Sequence, residues 1–95
     1  MTIDNQFLMI LNNCLLTIEK YTDTNTYPQY SLYKDRYDKI IRYTKDLINA
    51  VNNDILAKNF WSLEIIKMID MNDPEDIKSN VLGANQFYCK HYRKL

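Results

Sequence analysis

Apolar residues recur at steps of three and four along the first part of the chain. One such series reads Ile3, Phe7, Leu11, Cys14, Ile18, Tyr21. An α-helix has 3.6 residues per turn, so these steps place the apolar side chains on one face. The pattern predicts a first helix over about 4–21 with a broad face turned toward a core.

The second predicted helix follows a polar loop. Residues 22–30 are rich in Thr, Asp and Asn, and Pro28 disfavours helical geometry at Tyr27. Ser31 is a suitable N-cap, and apolar residues then recur at helical spacing to about residue 52. The opposite face is charged, and two acid-before-base pairs at a spacing of four residues are expected to support it. These are Asp35 with Lys39, and Asp38 with Arg42.

Two further helices are predicted in the second half of the chain. Residues 55–71 are apolar on nearly every face, which indicates either a fully buried helix or one with a partner-facing side. A fourth helix over about 74–92 is predicted from Asp73 as its N-cap and Pro74 at its first position. Gly83 lies inside this last helix, where we expect it to allow close approach of another helix.

The four predicted helices define the expected fold class. The chain has 95 residues but only one Gly and two Pro, so it has few of the residues that favour turns. Long elements with short connections are typical of helical bundles. We therefore expect an all-α protein: a small four-helix bundle, with residues 1–95 forming a single domain.

Charge and cysteine content limit the cellular settings and binding partners that we expect for the protein. The formal net charge is zero, which argues against a dedicated nucleic-acid binder. No apolar run is long enough for a membrane span, and the N-terminus has no basic segment of the kind that begins a secretion signal. Cys14 and Cys89 do not make a disulfide framework. These features predict a cytoplasmic protein with free thiols and no membrane association.

The residues with catalytic potential are few. His91 is the only histidine, and Cys89 lies two positions away, so the two point in different directions on a helix. No Cys or His spacing matches a metal site, and one glycine does not make a phosphate-binding loop. The sequence predicts no enzymatic activity, no metal and no cofactor.

A group of tyrosines is the most unusual feature of the chain. Four of the eight tyrosines are Tyr27, Tyr30, Tyr33 and Tyr37, at spacings of three, three and four. Such a stripe is typical of a core edge with hydroxyls reaching water, a protein-binding surface or a base-stacking platform. Tyr27 and Tyr30 lie in or beside the loop and are the best interface candidates, with Trp61 next.

An acidic cluster is the second candidate site. It consists of Asp70, Asp73, Glu75 and Asp76, with no Lys or Arg between them. Helix capping accounts for the last three. The alternative is an acidic surface that meets a basic partner, a role that favours fast association and partner choice.

These features together favour a small, non-catalytic protein-binding module. The more specific expectation is a stoichiometric inhibitor of immunity or antitoxin type that masks a basic partner, such as a nuclease toxin. The chain is similar in size and helical class to the small helical immunity proteins of bacterial toxin systems. Two alternatives stay open: a nucleic-acid-binding regulator that uses the Tyr-, Lys- and Arg-rich second helix and the basic C-terminus, and a self-associating helical subunit.

Overall fold

Three α-helices make up most of the described structure. The computed structural model describes residues 2–56 and 63–92. Within them lie the helices α1 (Ile3–Tyr21), α2 (Lys34–Asn52) and α3 (Glu75–His91), and two 3₁₀ helices at Pro28–Tyr33 and Glu64–Lys67. These two ranges contain no β-strand. The all-α prediction is confirmed, whereas the four-helix bundle is not, because three α-helices are present in the described residues.

Helix α1 is the central element of the fold. Its start is capped by Thr2, whose hydroxyl accepts a hydrogen bond from the Asn5 amide at 3.1 Å. One face carries the buried residues Phe7, Leu11, Cys14 and Ile18, which are the core positions of the predicted stripe. α1 packs against both α2 and α3. It runs antiparallel to α3, since Lys20 contacts Asp76 and Tyr92 donates to Asp4 at the opposite end.

The core is built from the apolar faces of all three helices. α2 contributes Tyr37, Ile40, Thr44, Leu47 and Val51, and α3 contributes Ile77, Val81, Ala84 and Tyr88. Thr44 is the polar member, and its hydroxyl donates to the Ile40 carbonyl one turn earlier at 2.7 Å. No helix in the described ranges is long and apolar enough to cross a membrane.

The entry into α2 differs from the prediction. The expected helix over 31–52 begins as a 3₁₀ helix at Pro28, and regular α-helix starts only at Lys34. Pro28 suits the first position of a helix because it has no amide hydrogen to leave unpaired. Ser31 is therefore inside the 3₁₀ helix and not an N-cap, whereas the predicted end at residue 52 is confirmed.

The predicted helix over 55–71 is wrong in its described parts. Residues 55–56 and 69–71 are not helical, and a 3₁₀ helix occupies Glu64–Lys67; residues 57–62 lie outside the described ranges. Leu63 is extended, and its amide donates to the Asn85 side chain on α3 at 2.9 Å. The buried residues Leu63 and Ile65 alternate with exposed Glu64 as the segment packs against α2 and α3. The apolar side chains of Leu63 and Ile65 therefore cover the core, although residues 63–67 do not form an α-helix.

Candidate functional site at the tyrosine end

Five tyrosines meet at the end of the bundle where α1 stops and α2 starts. We call Tyr21, Tyr27, Tyr30, Tyr33 and Tyr37 the tyrosine cluster. The closest ring centroids are those of Tyr21 and Tyr27 at 4.7 Å, and Tyr21 and Tyr30 at 5.3 Å. Tyr30 also lies 6.4 Å from both Tyr33 and Tyr37. Contacts between offset or edge-on rings are favourable beyond the area they bury, so the cluster stiffens the loop between α1 and α2.

The members of the cluster differ in exposure. Tyr37 is fully buried, so its ring belongs to the core. Tyr27, Tyr30 and Tyr33 are half-buried and keep part of each ring at the surface. The sequence-based alternatives of core edge and interface therefore apply to different members of the same stripe.

A partly buried ion pair joins this cluster to the loop before α3. The guanidinium of Arg36 donates to both carboxylate oxygens of Asp73, at 2.8 and 2.6 Å, and also to the Met68 carbonyl at 2.7 Å. The Tyr37 hydroxyl and the Asp70 amide donate to the same carboxylate, at 2.8 and 2.7 Å. The Asp73 side chain has no solvent exposure. A two-pronged Arg–carboxylate contact with further donors is among the stronger polar arrangements in proteins.

This network changes the ionisation of its members. Burial acts to raise the pKa of Asp73, but the hydrogen bonds from Arg36, the Asp70 amide and Tyr37 outweigh it and lower the pKa below its usual value. For Tyr37, burial and then the bond to Asp73 both raise the pKa above its usual value. Asp73 is thus held as a carboxylate and Tyr37 as a phenol.

A second carboxylate, three residues further along the chain, has a similar arrangement of donors. The Tyr21 hydroxyl lies 3.0 Å from both oxygens of Asp76, and the Lys20 ammonium lies 2.9 Å from one of them. In both units the carboxylate receives a cation and a phenol from consecutive residues, Lys20–Tyr21 on α1 and Arg36–Tyr37 on α2. The difference is exposure, since the Asp76 side chain is 40% exposed whereas that of Asp73 is buried.

The structure distributes the predicted acidic residues between interior and surface. Asp73 was predicted as an N-cap, but α3 starts at Glu75 and the Asp73 carboxylate caps no helix. Glu75 is 86% exposed and pairs with Lys78, and Asp70 is exposed without an ion pair among the described residues. Trp61 lies outside the described residues.

Three members of this site were not predicted from the sequence as site residues: Lys20, Tyr21 and Arg36. Tyr21 appeared only as an apolar position of α1. Lys20 was given no role, and Arg36 belonged to the Lys- and Arg-rich second helix of the nucleic-acid alternative. A signal was present in the repeated order of a cation followed by tyrosine. This repeat indicates a site only in the folded chain, where Asp73 and Asp76 lie beside the two cation–tyrosine pairs.

The two most exposed large apolar side chains in the described chain are at this end. Leu32 and Met71 are each 89% exposed. Leu32 lies in the 3₁₀ helix next to Tyr33, and Met71 lies two residues before Asp73. The Arg36–Asp73 ion pair holds these two segments together.

The charges on α2 are paired differently from the prediction. Asp38 pairs with Lys34 at 2.9 Å and not with Arg42, and no ion pair joins Asp35 to Lys39. Lys39, Arg42 and Lys45 are exposed and have no carboxylate partner within the described ranges. Their spacing of three residues places them along one side of the helix.

The two cysteines and the histidine do not belong to the tyrosine cluster or to its carboxylate networks. Burial raises the pKa of the Cys14 thiol to about 12, and its sulfur donates to the Asn80 carbonyl. Cys89 and His91 lie at the other end of α3, where His91 packs against the Phe87 ring at 4.3 Å. In residues 2–56 and 63–92, no group of three or more His, Cys, Asp and Glu side chains is placed to hold a metal ion.

Fold and site together define a small all-α domain with an aromatic and acidic end. No protein-family model, curated protein or solved structure matches the chain. Its function must therefore be argued from the geometry of this end.

Proposed function

We propose that this chain is a non-catalytic protein-binding module, and that it binds its partner with the tyrosine end. The observation that carries the proposal is the meeting of half-buried tyrosines, exposed carboxylates and exposed apolar side chains on one end. Aromatic residues and Met are enriched at the cores of protein interfaces, and polar groups form their rims. Tyrosines held by ring contacts lose little further entropy on binding.

The specific form we propose is a stoichiometric inhibitor of immunity or antitoxin type with a basic partner, such as a nuclease toxin. Asp70 is an exposed carboxylate without an ion pair among the described residues, and Glu75 pairs only across an exposed surface. Exposed ion pairs contribute little to stability, so a cation of the partner can replace Lys78 at small cost. Both cysteines are free thiols, which supports a reducing, cytoplasmic setting as part of the same proposal.

A pull-down from the source cell tests this proposal. The tagged chain is the bait, and the eluate is read by mass spectrometry and by nucleic-acid staining. We expect one basic protein in equal amount.

The double charge reversal Asp70→Lys, Glu75→Lys is expected to slow the association of this partner, because long-range attraction accelerates encounter. The matched control is Asp46→Lys, Glu64→Lys, which reverses two exposed carboxylates away from the tyrosine cluster; Glu64 pairs with Lys67 as Glu75 pairs with Lys78. Recovery of no protein, or equal slowing by both variants, would contradict the proposal.

A second candidate function is binding of nucleic acid through α2. It is favoured by the exposed Lys39, Arg42 and Lys45, which the acidic residues of α2 do not neutralise through ion pairs. The net charge of zero and the exposed Asp35 and Asp46 on the same helix weigh against it. Three phosphate contacts would give a slope of about −2.7 for log K against log salt on duplex DNA. Anisotropy of a labelled duplex, with and without Lys39→Glu and Arg42→Glu, measures this slope.

Self-association through residues 55–71 is the remaining alternative. Leu63 and Ile65 from this segment are buried in the core of the same chain, so they do not form an outward apolar face. The described structure therefore supports it less than the two functions above. Light scattering over a range of concentrations tests it, since a constant monomer mass would exclude it.

A further inference from the structure

The interior of the tyrosine end holds the backbone of the loop before α3 through hydrogen bonds. The Asp73 carboxylate receives donors from α2 and from the Asp70 amide, and Arg36 also binds the Met68 carbonyl. Lys78 on α3 donates to the Met71 carbonyl at 3.1 Å. The backbone of residues 68–73 is thus fixed from both sides, while the Met71 side chain is left 89% exposed.

The 3₁₀ helix before α2 presents Leu32 in a similar manner. Its neighbour Tyr33 packs against Tyr30 and Tyr37, and the Arg36 guanidinium lies 5.3 Å from the Tyr33 ring centroid. Cation–π and ring contacts therefore fix the backbone on which Leu32 is exposed. Folding leaves both apolar side chains in water, although it orders the backbone that carries them.

We infer that Leu32 and Met71 are the anchor residues of the proposed interface, and that they fit an apolar surface rimmed by Lys and Arg on another protein. This inference rests on the proposed protein-binding function and names the chemistry of the partner. Anchors that are pre-ordered cost little entropy on binding, and a few such residues carry most of the affinity of an interface.

The charges around the anchors select the sign of the partner. Asp35 follows Leu32 by three residues, and Asp70 immediately precedes Met71; both carboxylates are exposed and unpaired within the described chain. Of the nearby cations, Arg36, Lys34 and Lys78 are each paired with a carboxylate, and Lys39, one turn beyond Asp35 on α2, is exposed and unpaired within the described residues. A basic rim on the partner is therefore matched, and an acidic rim is repelled.

A designed peptide tests this inference without the natural partner. The probe is a helical peptide of about 18 residues with Leu on one face and Lys on the other, a length at which isolated helices form. A second peptide keeps the Leu face and replaces every Lys by Glu. Binding is followed by the methyl signals of the chain in carbon–proton correlation spectra.

We expect the Leu/Lys peptide to shift the Leu32 and Met71 methyl signals, and the Leu/Glu peptide to leave them in place. Leu32→Ser, Met71→Ser should weaken binding about tenfold or more, which corresponds to the loss of at least one anchor contact. The matched control is Leu16→Ser, Met9→Ser, which removes the same residue types from the exposed face of α1, where they are 65% and 55% exposed. This control should change affinity less than about twofold.

Other outcomes overturn the inference. Equal binding of both peptides would remove the role of the carboxylates, and shifts confined to other methyl groups would move the anchors. An absence of binding would show that the two side chains do not form a binding surface. If the pull-down yields a basic protein that Leu32→Ser, Met71→Ser still binds normally, the anchor assignment fails while the proposed function stands. If the peptide test succeeds and no protein is recovered, the proposed function fails instead.

Discussion

At the scale of single residues, Asp73 is the side chain on which the tyrosine end depends. Its carboxylate accepts hydrogen bonds from Arg36, Tyr37 and the Asp70 amide while having no solvent exposure. The cost of burying this charge is offset only while every donor is in place. A substitution that removes the charge leaves the half-buried guanidinium without its counter-ion.

Asp73→Asn is therefore expected to destabilise the protein by about 2–4 kcal/mol. The physical reason is the loss of the ion pair together with unsatisfied donors on Arg36 and Tyr37. Urea unfolding followed by circular dichroism measures the change. Glu75→Gln is the control, since its carboxylate is 86% exposed, and its effect should stay within about 0.5 kcal/mol. Equal stability of the two variants would contradict the structural role of Asp73.

Buried phenols lead to a prediction for alkaline solution. Burial is the main cause that raises the pKa of Tyr21, Tyr37, Tyr43 and Tyr92 above the usual value. A raised folded-state pKa contributes stability that is fully present below the unfolded-state pKa of about 10 and is lost as pH rises through the folded-state value.

The protein should therefore lose stability as the pH rises above about 10. Phenolate absorbance measures the ionisation of the tyrosines, and circular dichroism of the same sample measures the loss of helix. We expect part of the phenolate signal to appear only together with the loss of helix. Ionisation of all eight tyrosines before any unfolding would contradict the burial of these four.

At the scale of elements, the local pattern predicted α1 and α3 closely and the start of α2 less closely, and it was wrong for the described parts of residues 55–71. The predicted ranges 4–21 and 74–92 agree with α1 and α3 within one residue at each end. Residues 55–71 were expected to be helical because their apolar content is high. Ile65, Ile66 and Ile69 are β-branched, however, and such side chains are stiffer in a helix. The Asn85 side chain on α3 accepts a hydrogen bond from the Leu63 amide, and no local pattern predicts this contact.

Gly83 is the residue of α3 with the lowest helix propensity. Gly83 was expected to allow close approach of another helix, but a Cβ atom placed there meets no described atom within 4 Å. Gly83→Ala should therefore stabilise the protein by about 0.5–1 kcal/mol, because Ala loses less backbone entropy in a helix. Thermal unfolding measures the change. Ala84→Gly, at a buried neighbour, is expected to destabilise; a loss of stability in Gly83→Ala would indicate that the position is covered in solution.

At the scale of the whole molecule, two carboxylates bring all three helices together at one end. Asp73 joins α2 to the loop before α3, and Asp76 joins α1 to α3. For Asp76, burial acts to raise the pKa, but the bonds from Lys20 and Tyr21 outweigh it and lower the pKa. The pKa of Asp73 is also lowered. Lowered values contribute stability that is present above the unfolded-state pKa near 3.8 and is lost as pH falls through the folded-state values.

Acid should therefore weaken the tyrosine end before the opposite end of the bundle. Amide hydrogen exchange at a series of pH values between about 5 and 2 measures this order. Protection of the amides in the first half of α3 should fall before that of the amides in its second half. In Asp73→Asn the pH dependence should be smaller, because one of the two linked groups no longer titrates. Uniform loss of protection along α3 would contradict this prediction.

The sequence alone determined the class of the fold and the faces of its helices. Helical periodicity is a local property, so the buried faces of α1, α2 and α3 are readable from residue spacing. The pairing of Asp73 with Arg36 spans 37 positions, and that of Asp76 with Tyr21 spans 55. Partners so far apart meet only through tertiary packing. That packing divided the acidic cluster into an interior carboxylate and surface ones, placed Tyr37 in the core, and left Leu32 and Met71 exposed on backbone that the interior holds in place.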